Sequence, residues 1–404
     1  MRRWLTTLFV FLSLLGTAKS ARGQSAVEIV DVQAEHLFGE YIAFRARLSP
    51  VVPVKEATLF FRDERGASTS TYPATVNPDG TLTYRHDVRQ SALRPFASLV
   101  FWFSVKLENG ETVTSAQYIF QYDDNRFPWQ HLEEVPLYVH WYDGDAIFGQ
   151  AALDAARAGL GGVEDLIPLP TQERIDIYIY ASVDDLRSAL TDSHDWVAGH
   201  AAPDLGVVMV SVAPGEGQRF ALSQQVPHEL AHVLLYRYTG ESYADLPVWL
   251  REGVATLAER SPNPDYERAL SLASQEGTLL SLADLCDAFP PDAGRAFLAY
   301  AESQDFTRFL RDTYGNSGLL SLVDSYADGL DCNQGMQRAL GISLPLAERR
   351  WREETLGENL FGVALRNFSP YLVLLGIVLF IPMWGILNLV RERRKSDGIQ
   401  PPPT

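Results

Sequence analysis

The chain has 404 residues and a net charge of −17, with 34 basic against 51 acidic side chains. That length exceeds one small core and fits two folded domains with attachments. The acidic balance, with no lysine and arginine stripe interleaved with aromatics, excludes a nucleic-acid partner.

The first segment, MRRWLTTLFVFLSLLGTAKSARGQS, sets Arg2 and Arg3 ahead of an apolar run from Trp4 to Leu15 and then small residues. That is the layout of a secretory signal peptide, over 1–23. Residues 24–126 alternate apolar and polar side chains in YIAFRARL (41–48), EATLFF (56–61), LVFWFSVKLE (99–108) and AQYIFQY (116–122), with the turn signals NPDG and ENG between them. A period of two is that of a strand with one buried face. The region therefore reads as an all-β, immunoglobulin-like sandwich, whose work is spacing or binding a protein partner. DDNRFPWQHLEEVP breaks the pattern and marks a boundary.

From 132 to 362 the texture is mixed. LYVHWY, RIDIYIYA and LGVVMVSV (205–212) read as strands, DAIFGQAALDAARAGL and SVDDLRSAL as helices, and the remainder as helices broken by Gly, Pro and Asp. Strands first and helices after them indicate an α+β domain. Residues 370–390, ending in YLVLLGIVLFIPMWGILNLV, carry no charge and at helical rise cross a hydrocarbon core of about 30 Å. RERRK (391–395) follows at once, and the positive-inside rule puts the tail 391–404 in the cytoplasm. The expected location is the cell membrane, single-pass, with both folded domains extracytoplasmic and the lipid bilayer met through this one helix. There Cys286 and Cys332, the two cysteines of the chain, can hold a disulfide; two free buried thiols are an equally simple account.

The chemistry-bearing stretch is QQVPHELAHVLLYRYTG, 224–240. Residues four apart lie one above the other on a helix, so His228 and His232 can offer imidazole nitrogens to one metal. Glu229, displaced by about 100°, reaches a water on that metal instead. Zinc that does chemistry needs a third protein ligand and an open position. Glu252 in WLREGVA, after nineteen intervening residues, is the candidate, and Gly253 lets helix backbones approach closely. No cysteine and no further histidine lies between 228 and 252, which favours an open site, with one zinc ion per chain.

HELAH followed by a glutamate in WLREG resembles the gluzincin branch of zinc metallopeptidases, in particular the peptidase MA-like proteins. AYAESQDFTRFLRDTYGNSGLLSLVDSYADG with ALGISLPLAERRWRE is similar to the C-terminal helices of that group. The resemblance covers about 132–360. It implies His228, His232 and Glu252 as zinc ligands, Glu229 as general base, and a peptide or protein substrate. Gluzincins often supply a tyrosine or histidine to the developing oxyanion; Tyr300 in FLAYAES is the first choice and His200 the second. In resembling peptidases an edge strand ahead of the active helix pairs with an extended substrate, which implies Gly206, Val207, Val208, Met209 and Val210 as the substrate strand. A buried strand of the same sheet is the alternative. Two competing functions stand beside the peptidase: a non-enzymatic cell-surface binding protein whose zinc only stabilises the fold, and a zinc hydrolase acting on another bond.

Overall fold

The computed structural model describes residues 27–168, 173–190, 199–261, 263–358 and 360–396. The signal-like segment 1–23 lies outside the described residues, as does the end of the tail from 397. The chain divides into two units, Met1–Arg126 and Phe127–Thr404.

The described part of the first unit is built of strands: β1 (Glu28–Leu37), β2 (Tyr41–Ser49), β3 (Val54–Asp63), β4 (Ser70–Pro73), β5 (Thr75–Val76), β6 (Thr81–Asp87), β7 (Ser98–Leu107), β8 (Thr112–Thr114) and β9 (Tyr118–Gln121). They form two sheets, β1-β2-β6-β5 and β4-β3-β7-β8, with β9 also paired to β7. Alternation buries Ile42, Phe44, Ala46 and Leu48 of β2 and Leu59 and Phe61 of β3. Phe44 stacks on Phe61 at 5.4 Å and meets Phe101 at 5.0 Å, which joins one sheet to the other. β1 carries a bulge between Val30 and Gln33, with Asp31 at a φ of 52°. The bulge shifts the alternation partway along the strand and hides its period.

The second unit begins inside the stretch read as a boundary: β10 (Gln130–Glu134) pairs with β11 (Leu137–Trp141). β12 (Ile175–Tyr180), β13 (Gly199–Ala202) and β14 (Val207–Ser211) complete a sheet of order β10-β11-β12-β14-β13. Its three inner strands are parallel and its two edges antiparallel. The helices are α1 (Ala146–Glu164), α2 (Val183–Ala189), α3 (Gln218–Thr239), α4 (Val248–Ala258), α5 (Pro264–Glu276), α6 (Ala293–Ala327), α7 (Cys332–Leu340), α8 (Leu344–Glu354) and α9 (Leu360–Ser396). Val139, Ile177 and Val208 share one core with Ala152 and Ala156 of α1 and Val226, Leu230 and Leu234 of α3. Helix ends follow the sequence: Asp145 accepts from the Ile147 and Phe148 N–H groups to start α1, as an N-cap aspartate does. α6 is two helical arms broken at Gly315, whose φ is 73°.

Two features lock the helical half. Gly253 of α4 lies against α6 so closely that a Cβ there would sit 2.0 Å from Thr307 Oγ1 and 2.7 Å from the Ser303 carbonyl. Cys286 and Cys332 form a disulfide across 46 residues of chain. Beyond them, α9 begins at Leu360, ahead of the apolar run that starts near 370. Within it, Phe368–Asn388 is long and apolar enough to cross a membrane.

Glu302, on α6, is wholly buried. Its Oε1 accepts the Leu280 N–H at 2.8 Å, while Oε2 has no hydrogen-bond partner. Burial pushes this carboxyl up to about 8 from an ordinary 4.5, against the Leu280 bond and the Arg352 charge, which lower it. A raised folded-state value means stability that is complete below the unfolded value and lost as pH rises through the folded one. Urea denaturation of the full chain in detergent should therefore show stability falling by a few kcal/mol between about pH 4.5 and 8. Glu302→Gln should flatten that fall, and an unchanged pH profile in the variant would refute the assignment.

Candidate metal centre

Two helices carry the motif. His228, Glu229 and His232 lie on α3 and Glu252 lies just past the first turn of α4. Pro227 sits inside α3, and a proline has no N–H to give to the carbonyl four residues back. That carbonyl, Ser223 O, accepts the Arg260 N–H at 3.0 Å instead, and Ser223 Oγ meets Ser261 Oγ at 3.0 Å. The missing helical bond thus becomes a tie between α3 and the far end of α4. On its other side Pro227 is packed so tightly that a Cβ on Gly159 of α1 would lie 2.8 Å from its Cα.

The result is convergence. Glu252 Oε2 lies 3.3 Å from His228 Nε2 and 3.6 Å from His232 Nε2, yet it has no hydrogen-bond partner. The contacts are close without the direction of hydrogen bonds. Ligands about 2.0–2.1 Å from a tetrahedral zinc are spaced about 3.3–3.4 Å from one another; the two separations to Glu252 lie near that spacing, and all three atoms lie within 4.8 Å of one another, close enough to hold one metal ion. The opposite ring nitrogens are also held: His228 Nδ1 donates to Glu259 Oε1 at 3.0 Å, and His232 Nδ1 and the Tyr243 hydroxyl are hydrogen-bonded at 2.9 Å. The carboxylate acceptor on His228 fixes the tautomer that leaves its Nε2 free for a metal, and the Tyr243 hydroxyl orients the His232 ring. Burial would raise the Glu252 carboxyl, but His232 and His228 outweigh it and hold it well below the carboxylate range. Glu252 is therefore an anion wherever the histidines face it.

Glu229 occupies the neighbouring helical phase and faces a cleft of about 330 Å³, lined in part by Gly199, His228, Tyr266, Phe297 and Tyr300. Burial is the main cause of its raised pKa, with Glu252 and Glu259 adding and the two histidines opposing. Raised basicity suits a group that accepts and returns a proton near neutral pH. Gly199 makes its room: a Cβ there would lie 2.4 Å from Glu229 Oε1. The Tyr300 ring stands 6.1 Å from that of His228 and edge-on to Phe289 at 5.0 Å. Burial raises its hydroxyl well above the ordinary tyrosine range, so it stays a neutral donor. His200 follows Gly199 on β13 and is exposed.

The structure corrects the substrate strand. Val207, Val208, Met209 and Val210 belong to β14, which is buried and paired on both sides, to β12 and to β13, while Gly206 precedes it at the end of a short 3₁₀ turn. Both hydrogen-bonding edges of β14 are taken, so it has none to offer a peptide. Among the described residues the outer strand on that side is β13. Glu259, Tyr243 and Gly199 touch the candidate ligands or Glu229, and sequence reasoning passes over them. Glu259 had a signal, since it lies seven residues after Glu252, two turns along the same helical face; Tyr243 and Gly199, in a 3₁₀ turn and a short edge strand, had none.

A family model described as the peptidase MA superfamily matches residues 155–357, a span that contains all three candidate ligands, Glu229 and Tyr300. A search of curated proteins finds no match. Among solved structures, the chain is similar to an M1 zinc metallopeptidase from Deinococcus radiodurans at 13% identity, over 84% of this chain and 96% of that one, with a TM-score of 0.36. A single-substitution form of a two-domain M1 zinc metallopeptidase bound to L-arginine gives 13% identity over 81% and 94%, with a TM-score of 0.37. A purple acid phosphatase from yellow lupin (Lupinus luteus) seeds gives 12% over 50% and 40%, with a TM-score of 0.21. Likeness at that level does not establish a shared fold.

If Glu259 and Tyr243 orient the imidazoles, Glu259→Ala and Tyr243→Phe should each raise the zinc dissociation constant about 10–100-fold. Competition against a chromophoric chelator measures this on the folded protein. Wild-type affinity in both variants would remove them from the metal centre.

Proposed function

We propose that this chain, which belongs to the peptidase MA superfamily and is a zinc metallopeptidase, acts outside the cytoplasm as a membrane-anchored hydrolase of peptide bonds. The observation that carries the reading is the meeting of His228 Nε2, His232 Nε2 and Glu252 Oε2, with Glu229 beside them facing the cleft.

His228, His232 and Glu252 hold one zinc ion per chain. Bound zinc supplies Lewis acidity toward a water and toward the scissile carbonyl. Glu229 takes the proton of the attacking water and returns it to the departing amine nitrogen; its burial, which raises its proton affinity, helps both transfers. Tyr300 donates its hydroxyl hydrogen to the developing oxyanion. Among the described residues β13 has β14 as its sheet partner on one side only, and Gly199 at its start lines the cleft. An extended substrate adds to this edge through main-chain hydrogen bonds.

The N-terminal unit is an immunoglobulin-like sandwich that binds a protein partner or spaces the peptidase. The signal-like residues 1–23 export the chain, and the span near 370–390, followed by RERRK, leaves the tail 391–404 inside.

Glu229→Gln should keep about one zinc per chain and a normal fold yet lose turnover by at least about 10²–10⁴-fold, because an amide accepts no proton from water. Metal analysis and peptide-library cleavage by the full chain in detergent are the paired measurements; undiminished hydrolysis would sink the general-base role. For topology, protease added to spheroplasts should digest both folded units and spare a short C-terminal fragment. Protection of the 132–360 region would reverse the orientation.

A further inference from the structure

The disulfide between Cys286 and Cys332 takes no part in the chemistry above, yet it lies at the start of the helix that carries Glu252. That helix start has no side-chain cap, since Pro247 precedes it. The first two N–H groups of α4 are met by the main chain of the disulfide segment: Val248 N–H donates to Cys286 O at 2.8 Å and Trp249 N–H to Leu285 O at 3.1 Å. A helix start buried without such acceptors leaves donors unsatisfied.

The second cysteine reaches the same turn from another side. Trp249 is wholly buried, its indole N–H points to Cys332 Sγ at 3.4 Å, and its ring meets Phe306 at 5.1 Å and Tyr326 at 6.4 Å. Tyr326 in turn donates its hydroxyl hydrogen to the Cys332 carbonyl at 2.8 Å. Glu252 follows Trp249 by three residues. The axial position and roll of this first turn therefore set where Glu252 Oε2 falls relative to the two imidazoles.

We propose that the Cys286–Cys332 disulfide is a positioning element of the metal centre: by tying the cap of α4 to the start of α7 it holds Glu252 Oε2 opposite His228 and His232. Its effect on zinc is exerted through the helix start, separately from any general stabilisation that closing a loop confers.

The test compares zinc affinity, by chelator competition well below the unfolding temperature, in full-length protein in detergent. Cys286→Ser with Cys332→Ser should raise the zinc dissociation constant about tenfold or more. Val248→Pro examines the route: proline is tolerated at the first helical position, removes the N–H that bonds Cys286 O, and leaves the disulfide in place, which mass mapping verifies. It too should weaken zinc binding, and it decides the matter alone if the serine pair fails to fold. Unchanged zinc affinity in Val248→Pro, or in a folded serine pair whatever its melting temperature, would overturn the proposal. The proposal rests on Glu252 as a zinc ligand. Wild-type zinc affinity in Glu252→Ala would sink that assignment, whereas a loss there with none in the other variants sinks only the role of the disulfide.

Discussion

A carboxylate oxygen on one helix has to arrive within 3.6 Å of two imidazole nitrogens on another, and much of what is buried in the C-terminal unit bears on that closeness. Three charged or ionisable groups taken out of water at such spacing are costly unless each is paired. Two of them are: the histidine nitrogens turned away from Glu252 have Glu259 and Tyr243, while Glu252 Oε2 has no hydrogen-bond partner and suits a cation at this point. The packing around α4 is equally committed, with Gly253 pressed on α6 and Trp249 enclosed by aromatic rings. A glycine and a tryptophan within five residues serve one end, since the small residue sets how near α4 comes and the large one fixes its rotation.

The electrostatics divide the two acidic residues of the motif between different tasks. Glu252 faces both imidazoles and is held as an anion, whereas Glu229, one helical phase round, is governed by burial and keeps a higher proton affinity. Two carboxylates of the same chemistry, close together in space, thus become a ligand and a base through their surroundings. Gly199 completes the division by leaving Glu229 the space in which to turn toward the cleft.

The ligand residues were legible in the sequence because their information is local: a spacing of four on a helix, and a glutamate in a second periodic stretch. The outer partners were not, since Tyr243 comes from a 3₁₀ turn and Gly199 from an edge strand of four residues, neither of which has a period to read. The error over β14 has a physical cause of the same kind. Its unbroken apolar run, VVMV, is what a strand flanked on both sides looks like, while the edges among the described residues, β10 and β13, are short, QHLEE and GHAA. In the N-terminal unit β2, β3 and β7 announced themselves by alternation, and β1 escaped because its bulge breaks the rhythm.

Pro227 stands immediately before the first ligand histidine, where it exchanges a bond inside one helix for a bond to Arg260, thirty-three residues further along the chain. Local helix propensity at this turn is thereby lowered by about 3 kcal/mol relative to alanine, and what is lost is recovered only when α4 has docked. The metal-binding helix is consequently a poor autonomous folding unit. The turn that carries the first histidine therefore leans on chain from beyond α4 for its missing bond, so continuity of the helix and the docking of its neighbour are secured by the same contact.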